Sequence, residues 1–214
     1  MARVLIATSN PGKLRDFSGA AAPRGIDVQG LPGFASLPQV VEDGASFEAN
    51  ARKKAEHYSR FAPGEVVLAD DSGLEVDALS GAPGVHSARF AALQNGSAAA
   101  NSGDAANNAR LLRELVSVTD DRRAARFVCV IAAARDGHTL ATFRGSAEGC
   151  ILRAPRGSGG FGYDPLFFFP SLGKTFAELA PEEKAAVSHR GQAFRNFLQW
   201  FERDPSPSLR LGSG

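Results

Sequence analysis

Short apolar runs separated by stretches of helical periodicity constrain the fold of this chain more than any other feature. The runs are rich in aliphatic and β-branched residues, which is typical of buried strands. We predict strands over residues 3–8, 26–31, 66–70, 74–79, 125–134 and 139–147. Apolar spacing predicts helices over residues 13–22, 46–61 and 105–118, and from about residue 188 onward. Strands mixed with helices in this way indicate the α/β class.

Local signals mark where several of these elements begin or end. Ser72-Gly73 predicts a turn between two strands, and Asp136-Gly137 predicts a hairpin turn. Thr175 followed by Glu178 is a capping-box pattern that predicts a short helix. The small, polar residues 91–104 predict a mobile loop. The aromatic run at 165–170 suits either a core or an interface between subunits.

The length of 214 residues is suited to one domain, which we place over residues 1–203, with two lobes around a cleft. Residues 204–214 are rich in Pro, Ser and Gly, which predicts a disordered tail. The formal net charge of +1 gives no bulk attraction for nucleic acid or anionic membrane. We therefore expect neither partner, and no apolar run approaches the ~20 residues that a membrane span needs.

The two cysteines and the N-terminus bear on the compartment. Cys129 and Cys150 match no disulfide, zinc or haem spacing, and the apolar run around Cys129 predicts a buried free thiol. Met1 leads directly into a strand pattern without an apolar stretch of signal-peptide length. Both features predict a cytoplasmic protein, because free thiols suit a reducing compartment.

The stretch ATSNPGK, residues 7–13, predicts a strand that runs through a polar turn into a helix. Backbone N–H groups and the helix N-terminus would meet there, which is a favourable site for a phosphate. Lys13 adds a positive charge, although the stretch is not a Walker A loop because Leu14 follows the lysine. The alternative is an ordinary strand-turn-helix with a solvated lysine.

Acidic residues cluster in two further segments. Glu42 and Asp43 precede the helix that carries Lys54, and a helix N-terminus alone favours acids there. Asp70 and Asp71 follow the apolar run VVLA, where a strand of an α/β sheet ends and where such sheets bind ligands. Carboxylates there suit Mg²⁺ and substrate phosphates, whereas the alternative is a simple turn. If the strand persists through residue 71, successive side chains point to opposite faces, so only one aspartate faces the ligand.

A Gly-rich segment with aromatic residues and a later His-Arg pair complete the candidate chemistry. In GGFGYDP, residues 159–165, either Phe161 or Tyr163 could stack on a planar base. His189 and Arg190 offer hydrogen-bond donors to a carbonyl group. Taken singly, each piece also suits simple packing or a surface position. Acids for a metal, donors for phosphates and an aromatic for a base together describe a nucleotide site.

These segments resemble, in order, those of the inosine triphosphate pyrophosphatase family, also called dITP/XTP pyrophosphatases. The resemblance rests on TSNPGK, FEANARKKA, LADDSGLEVDALSGAPGVHSARF, GGFGYDPLF and EEKAAVSHRG, and it extends from about residue 3 to 200. It implies hydrolysis of ITP, dITP, XTP and dXTP to the monophosphate and pyrophosphate. It further implies a need for Mg²⁺, a homodimer, and a two-lobed α/β fold with a long central mixed sheet flanked by helices and an active-site cleft between the lobes.

The resemblance also implies roles for individual residues. Asp71 would be the catalytic base and a metal ligand, Asp70 would have a supporting role, and Glu42 would be the second metal-binding acid, with Asp43 as the alternative. The residues that would bind the triphosphate are Thr8, Ser9, Asn10, Pro11, Gly12, Lys13 and Lys54. The residues that would contact the rest of the substrate are Ser72, Arg89, Phe161, Gly162, Tyr163, Asp164, Lys184, His189 and Arg190.

Two other functions stay open at this point. One is a pyrophosphatase or phosphatase of other modified or standard deoxynucleoside triphosphates. The other is a nucleotide-binding module without turnover, although such a module would not need the base Asp71.

Overall fold

Seven strands form one mixed sheet in this computed structural model, which describes residues 3–93 and 101–203. The strands are β1 (Arg3–Ile6), β2 (Asp27–Gly30), β3 (Val67–Val76), β4 (Ala124–Arg135), β5 (His138–Ile151), β6 (Phe167–Phe169) and β7 (Lys174–Thr175). Their order across the sheet is β2-β1-β3-β4-β5-β6-β7. Strand β1 is parallel to β2 and β3, whereas β6 is antiparallel to β5 and β7. The predicted α/β class with a long central mixed sheet is confirmed.

The helices match most of the predicted helical segments. They are α1 (Pro11–Ala21), α2 (Phe47–Ser59), α3 (Phe90–Leu93), α4 (Asp104–Glu114), α5 (Pro181–Val187) and α6 (His189–Arg203). Helix α1 begins two residues earlier than predicted because Asn10 caps it and Pro11 occupies its first turn. Among the described residues, no helix combines the length and apolar character needed to cross a bilayer.

The described chain divides into two compact units. The first comprises residues 3–71, 129–145 and 185–203, and the second comprises residues 72–93, 101–128 and 146–184. The single domain predicted for residues 1–203 stays a prediction. The predicted disordered tail, 204–214, lies outside the described residues, as do residues 94–100 of the predicted loop at 91–104. Of that loop, residues 91–93 belong to α3.

An apolar core with several aromatic rings stabilises the first unit. The rings of Phe17 in α1 and Phe194 in α6 lie 4.8 Å apart between centroids. Both pack with Ile6, Leu68 and Ile131 of the central strands, and all five side chains are almost fully buried. Burial of each such side chain contributes about 1.5–3 kcal/mol to folding. Cys129 belongs to this core as a free, fully buried thiol, as predicted.

Three phenylalanines form the centre of the second unit. The ring of Phe127 lies 4.6 Å from that of Phe167, which lies 4.8 Å from that of Phe176. Phe167 and Phe176 are fully buried, so the middle of the aromatic run at 165–170 belongs to a core. Next to this cluster, the predicted capping box is confirmed: the Thr175 N–H donates to Glu178 Oε2 at 2.7 Å. The helix it caps is a single 3₁₀ turn, Phe176–Glu178.

Strand β3 corrects one prediction. A turn was expected at Ser72-Gly73, yet the chain stays extended from Val67 to Val76. Asp, Ser and Gly favour turns locally, but here nearly every residue of the strand is buried and its backbone groups need sheet partners. The two predicted strands, 66–70 and 74–79, are therefore one. Asp70 and Asp71 both lie within it.

The hairpin between β4 and β5 has the predicted turn. Asp136 has a φ of 50° and Gly137 a φ of 85°, so both central residues adopt the left-handed conformation that tight hairpins favour. The Gly137 N–H donates to Ser59 Oγ at 2.9 Å, which ties this turn to the end of α2.

Arg123 is a buried cation that binds backbone carbonyl groups of the second unit. Its guanidinium donates to Leu115 O at 2.7 Å, to Ile151 O at 2.7 Å and to Leu152 O at 3.1 Å. The planar fork of an arginine can serve these acceptors together, whereas a lysine ammonium cannot. The sequence did not predict this role, because the partners of Arg123 are backbone carbonyl groups, which every residue has, and some of them lie far away along the chain.

We expect Arg123→Lys to destabilise the chain by about 2–4 kcal/mol, because each buried carbonyl left without a donor costs about 1–3 kcal/mol. Urea unfolding followed by circular dichroism measures this loss. Arg122→Lys is the matched control, because Arg122 is the exposed neighbour. Equal unfolding midpoints for the two variants would contradict the role given to Arg123.

Candidate active site

The adjacent carboxylates of β3 have separate partners in the first unit. Asp70 contacts Lys13 and Arg190, whereas Asp71 contacts Asn50 and Lys54. Successive side chains of an extended strand point to opposite faces, so this division follows from the backbone of β3. The two aspartates therefore lie in two different electrostatic environments.

Asp70 is a buried anion between two cations. Lys13 Nζ lies 2.9 Å from each of its carboxylate oxygens, and Arg190 Nε lies 3.5 Å from Oδ2. Burial acts to raise the pKa of Asp70, but Lys13, Arg190 and Lys54 outweigh it and hold the pKa well below its usual range. Asp70 is thus ionised and fixes the positions of Lys13 and Arg190.

Asp71 forms the centre of an acid–lysine cluster with Glu42 and Lys54. Lys54 Nζ lies 3.2 Å from Asp71 Oδ1 and 2.9 Å from Glu42 Oε2. Burial raises the pKa of Asp71, and the charge of Glu42 raises it further, while Lys54 and Asn50 act in the opposite direction. For Lys54, burial lowers the pKa, but the acids around it produce a net increase. Lys54 is therefore charged, and Asp71 has a greater affinity for a proton than an ordinary aspartate.

Glu42 and Asp43 differ in the lysine with which each pairs. Glu42 shares Lys54 with Asp71, whereas Asp43 pairs with Lys53 at 2.6 Å on the exposed side of α2. That exposed pair lowers the pKa of Asp43, first through its hydrogen bond to Lys53. Glu42 is thus the acid that lies with Asp71.

The predicted phosphate loop folds as a capped helix N-terminus. Asn10 Oδ1 accepts from the Gly12 N–H at 2.8 Å and from the Lys13 N–H at 3.2 Å, and the Asn10 N–H donates to Thr8 Oγ1 at 3.1 Å. Ser9 and Pro11 are exposed. A phosphate bound to these N–H groups would replace the Asn10 oxygen as their acceptor.

The Gly-rich segment of the second unit is organised by Asp164. Its Oδ2 accepts from the Phe161 N–H at 2.8 Å and from Lys184 Nζ at 2.5 Å. A Cβ at Gly160 would lie 2.0 Å from the same oxygen, so this close approach requires a glycine. Lys184 Nζ also lies 4.8 Å from the centre of the Phe161 ring, a cation–π contact.

Two candidates for base stacking differ in exposure. Phe161 is 36% exposed, whereas Tyr163 is buried and its hydroxyl donates to Ser87 O at 2.8 Å. Burial raises the pKa of Tyr163, so this hydroxyl stays protonated. Phe161 is therefore the aromatic that a ligand can reach, and Gly162 beside it is fixed by Asp104 through its N–H at 2.7 Å.

The remaining predicted residues have defined places. Ser72 follows Asp71 in β3 and is half-buried, as is Arg89, whose Nε lies 3.3 Å from His86 Nδ1. His189 and Arg190 begin α6, as predicted, and both are buried.

Asn50 was not recognised in the sequence, although its spacing pointed to it. Residues four apart on a helix lie on one face, so Asn50 shares a face of α2 with Lys54. Both side chains contact Asp71.

Glu42 and Asp71 fit a magnesium site. Hard carboxylate oxygens suit Mg²⁺, which usually takes one or two carboxylates and completes its shell with waters and substrate phosphates. Among the described residues, no group of three or more His, Cys, Asp or Glu side chains could hold a metal ion. A Mg²⁺ ion bound by only these two protein acids would keep coordination positions for water and substrate phosphates.

Acids, lysines and a capped helix N-terminus occur together in this α/β protein, and the combination is typical of enzymes that hydrolyse phosphate anhydrides. The model of the Ham1 family matches residues 4–200, so the chain belongs to the Ham1 family. The predicted class of enzyme, a nucleoside-triphosphate pyrophosphatase, is confirmed by the relatives below.

Two curated relatives have the same description. A dITP/XTP pyrophosphatase of Geobacillus kaustophilus is 49% identical over 94% of this chain and 96% of its own length. Another, from an Exiguobacterium species, is 50% identical over 90% of this chain and 93% of its own length. Among solved structures, a HAM1 protein from Coxiella burnetii has a TM-score of 0.81 at 39% identity, covering 95% of this chain and 100% of that one.

Proposed function

We propose that this chain hydrolyses deaminated purine nucleoside triphosphates (ITP, dITP, XTP and dXTP) to the monophosphate and pyrophosphate, with Mg²⁺, and so removes them from the nucleotide pool. The observation that carries the proposal is the cluster of Asp71, Lys54 and Glu42, found in a chain about half identical to dITP/XTP pyrophosphatases.

Asp71 acts as the general base. Water attacks the α-phosphorus, Asp71 takes the proton of that water, the bond between the α-phosphorus and the bridging oxygen breaks, and pyrophosphate leaves. A base works best when its pKa approaches the working pH, and the raised pKa of Asp71 is a shift in that direction.

Positive groups surround the phosphates. Lys13, Lys54 and the backbone N–H groups of Gly12 and Lys13 offset the charge that develops on the leaving group. Glu42 and Asp71 would hold Mg²⁺, which supplies electrostatic stabilisation of the phosphate oxygens when bound.

The remaining residues hold the nucleoside. Phe161 stacks on the purine, and His189 and Arg190 donate to its 6-keto oxygen. Adenine carries an amine at that position and leaves those donors unsatisfied, which costs about 1–3 kcal/mol for each buried donor. The other contacts to base and sugar come from Ser72, Arg89, Gly162, Asp164 and Lys184, while the buried Tyr163 anchors this segment through its hydrogen bond to Ser87 O.

A turnover screen tests this function. Nucleoside triphosphates are incubated with the chain and Mg²⁺, and pyrophosphate and orthophosphate are measured separately. We expect pyrophosphate from ITP, dITP and XTP, with little from ATP. Orthophosphate as the main product would indicate a phosphatase, and tight binding of ITP without turnover would indicate a binding module.

We expect Phe161→Ala to raise KM for ITP roughly 5- to 100-fold, since stacking on an aromatic ring contributes about 1–3 kcal/mol per base. The kcat should change less. The fold should persist, because Phe161 is partly exposed and the ion pair between Lys184 and Asp164 remains. Steady-state kinetics measure the change. Phe61→Ala is the control, since Phe61 is another exposed aromatic outside the proposed site. A KM equal to that of the parent would remove Phe161 from base binding.

We further propose a cytoplasmic homodimer. Two free cysteines suit a reducing compartment, and a homodimer is what the family resemblance implies. Light scattering after gel filtration measures the mass directly.

A further inference from the structure

Asn50 is a buried amide in the first turn of α2 that hydrogen-bonds two segments of the first unit at once. Its Oδ1 accepts from the Gly44 N–H at 2.8 Å, and its Nδ2 donates to Asp71 Oδ2 at 3.1 Å. The side chain is only 1% exposed. One end of the amide therefore holds the loop that carries Glu42, and the other end holds β3.

This contact makes the two oxygens of Asp71 unequal. Oδ2 accepts from Asn50, whereas Oδ1 lies beside Lys54. A carboxylate bound at both oxygens by separate donors cannot turn freely about its Cβ–Cγ bond. Asn50 thus fixes which oxygen lies on the side of Lys54 and Glu42.

The loop before α2 is shaped to fit this amide. A Cβ at Gly44 would lie 2.6 Å from Asn50 Oδ1 and 2.9 Å from Ala49 Cβ. Such distances are too short for any real contact, so only glycine allows the loop to approach Asn50 this closely. Glu42 lies two residues before Gly44 and is held near Asp71 by the same approach.

We propose that Asn50 is a positioning residue, which orients the carboxylate of Asp71 and holds the Glu42 loop against it, so that the two acids stay together for the reaction. This inference rests on the proposed function, in which Asp71 and Glu42 act on the substrate. Asn50 itself touches neither substrate nor metal in this scheme.

Asn50→Ala tests the proposal by separating kcat from KM. We expect kcat on ITP to fall about 10- to 100-fold, the factor expected when a hydrogen bond to a charged group is lost, with KM within about threefold of the parent. Ser59→Ala is the matched control. Ser59 is buried in the same helix and also accepts from a glycine N–H, that of Gly137, but its hydrogen bonds within the described part of the chain do not reach Asp71. It should lose stability and keep kcat.

A second readout needs no turnover. In the chain without nucleotide, Mg²⁺ should raise the melting temperature, and Asn50→Ala should require a higher Mg²⁺ concentration for half of that rise. Ser59→Ala should respond to Mg²⁺ as the parent does. The titration also separates the proposed pyrophosphatase function from the positioning role of Asn50. If the parent released no pyrophosphate, the proposed function would be refuted, but the Mg²⁺ response would still test Asn50.

Gly44→Ala tests the loop through a double-mutant cycle. Alone, it should lower kcat because its Cβ displaces either the amide or the loop. In the Asn50→Ala background it should lower kcat less, since the nearest atom is gone, so the two effects are not additive. The proposal is overturned if Asn50→Ala keeps kcat within twofold of the parent and its Mg²⁺ response matches that of Ser59→Ala.

Discussion

Asp71→Asn should reduce kcat on ITP by about 10³-fold or more, because an amide can neither accept the proton of water nor bind a cation as a carboxylate does. The measurement is pyrophosphate release at saturating ITP and Mg²⁺. Asp43→Asn is the control, because Asp43 is the acid that pairs with Lys53 on the exposed surface. It should remain active.

The fold of Asp71→Asn should survive. Burial raises the pKa of Asp71, which means that its ionised form is disfavoured in the folded chain. Lys54 keeps Glu42 as a partner at 2.9 Å after the change. We therefore expect a free energy of unfolding within about 1 kcal/mol of the parent. Activity close to that of the parent would exclude Asp71 as the base. A large loss of stability would show instead that Asp71 is needed for the fold.

Asp70→Asn should reduce stability more than turnover, in contrast to Asp71→Asn. We expect a loss of about 3–5 kcal/mol, the usual effect of removing one partner from a buried ion pair. Arg190 is 3% exposed and would keep its charge without the carboxylate beside it. Lys13 would lose the anion that fixes its ammonium. Chemical denaturation gives the loss, and kinetics below the transition should show a higher KM.

Glu202→Gln provides the comparison for Asp70→Asn. Glu202 forms an ion pair with Arg24 at 2.9 Å, but both side chains are partly exposed to solvent, so the change should cost less than about 1 kcal/mol. If both variants unfold at the same denaturant concentration, Asp70 is not the buried counterion described above.

The elements that could be predicted from the sequence depend on local chemistry. Asp136-Gly137 specifies a tight hairpin because both residues tolerate a positive φ. Apolar periodicity specifies α6, and the Thr175–Glu178 pair specifies its own cap. In each case the signal and the structure it produces lie within a few residues.

What the sequence did not predict depends on contacts between distant residues. Ser72-Gly73 has the composition of a turn, but the neighbouring strands of the sheet keep the chain extended. Arg123 binds carbonyl groups up to 29 residues away, and Asn50 binds an aspartate 21 residues away. The acids of the site were predicted from their residue type, whereas the only local signal of Asn50 is its spacing of four residues from Lys54.

The continuity of β3 has a consequence for how chains of this kind can vary. Each added or deleted residue between Leu68, which is paired with Ile6 of β1, and Asp71 would turn the following side chains to the other face of the sheet. A single insertion before Asp70 would place that residue where Asp71 now lies beside Lys54, and a single deletion would place Asp71 where Asp70 now lies beside Lys13 and Arg190. Substitutions in this segment can have graded effects, but a change of length by one residue leaves one of the two positions without its acid. The segment is therefore a fixed-length spacer, and insertions that persist in such chains should fall in their loops.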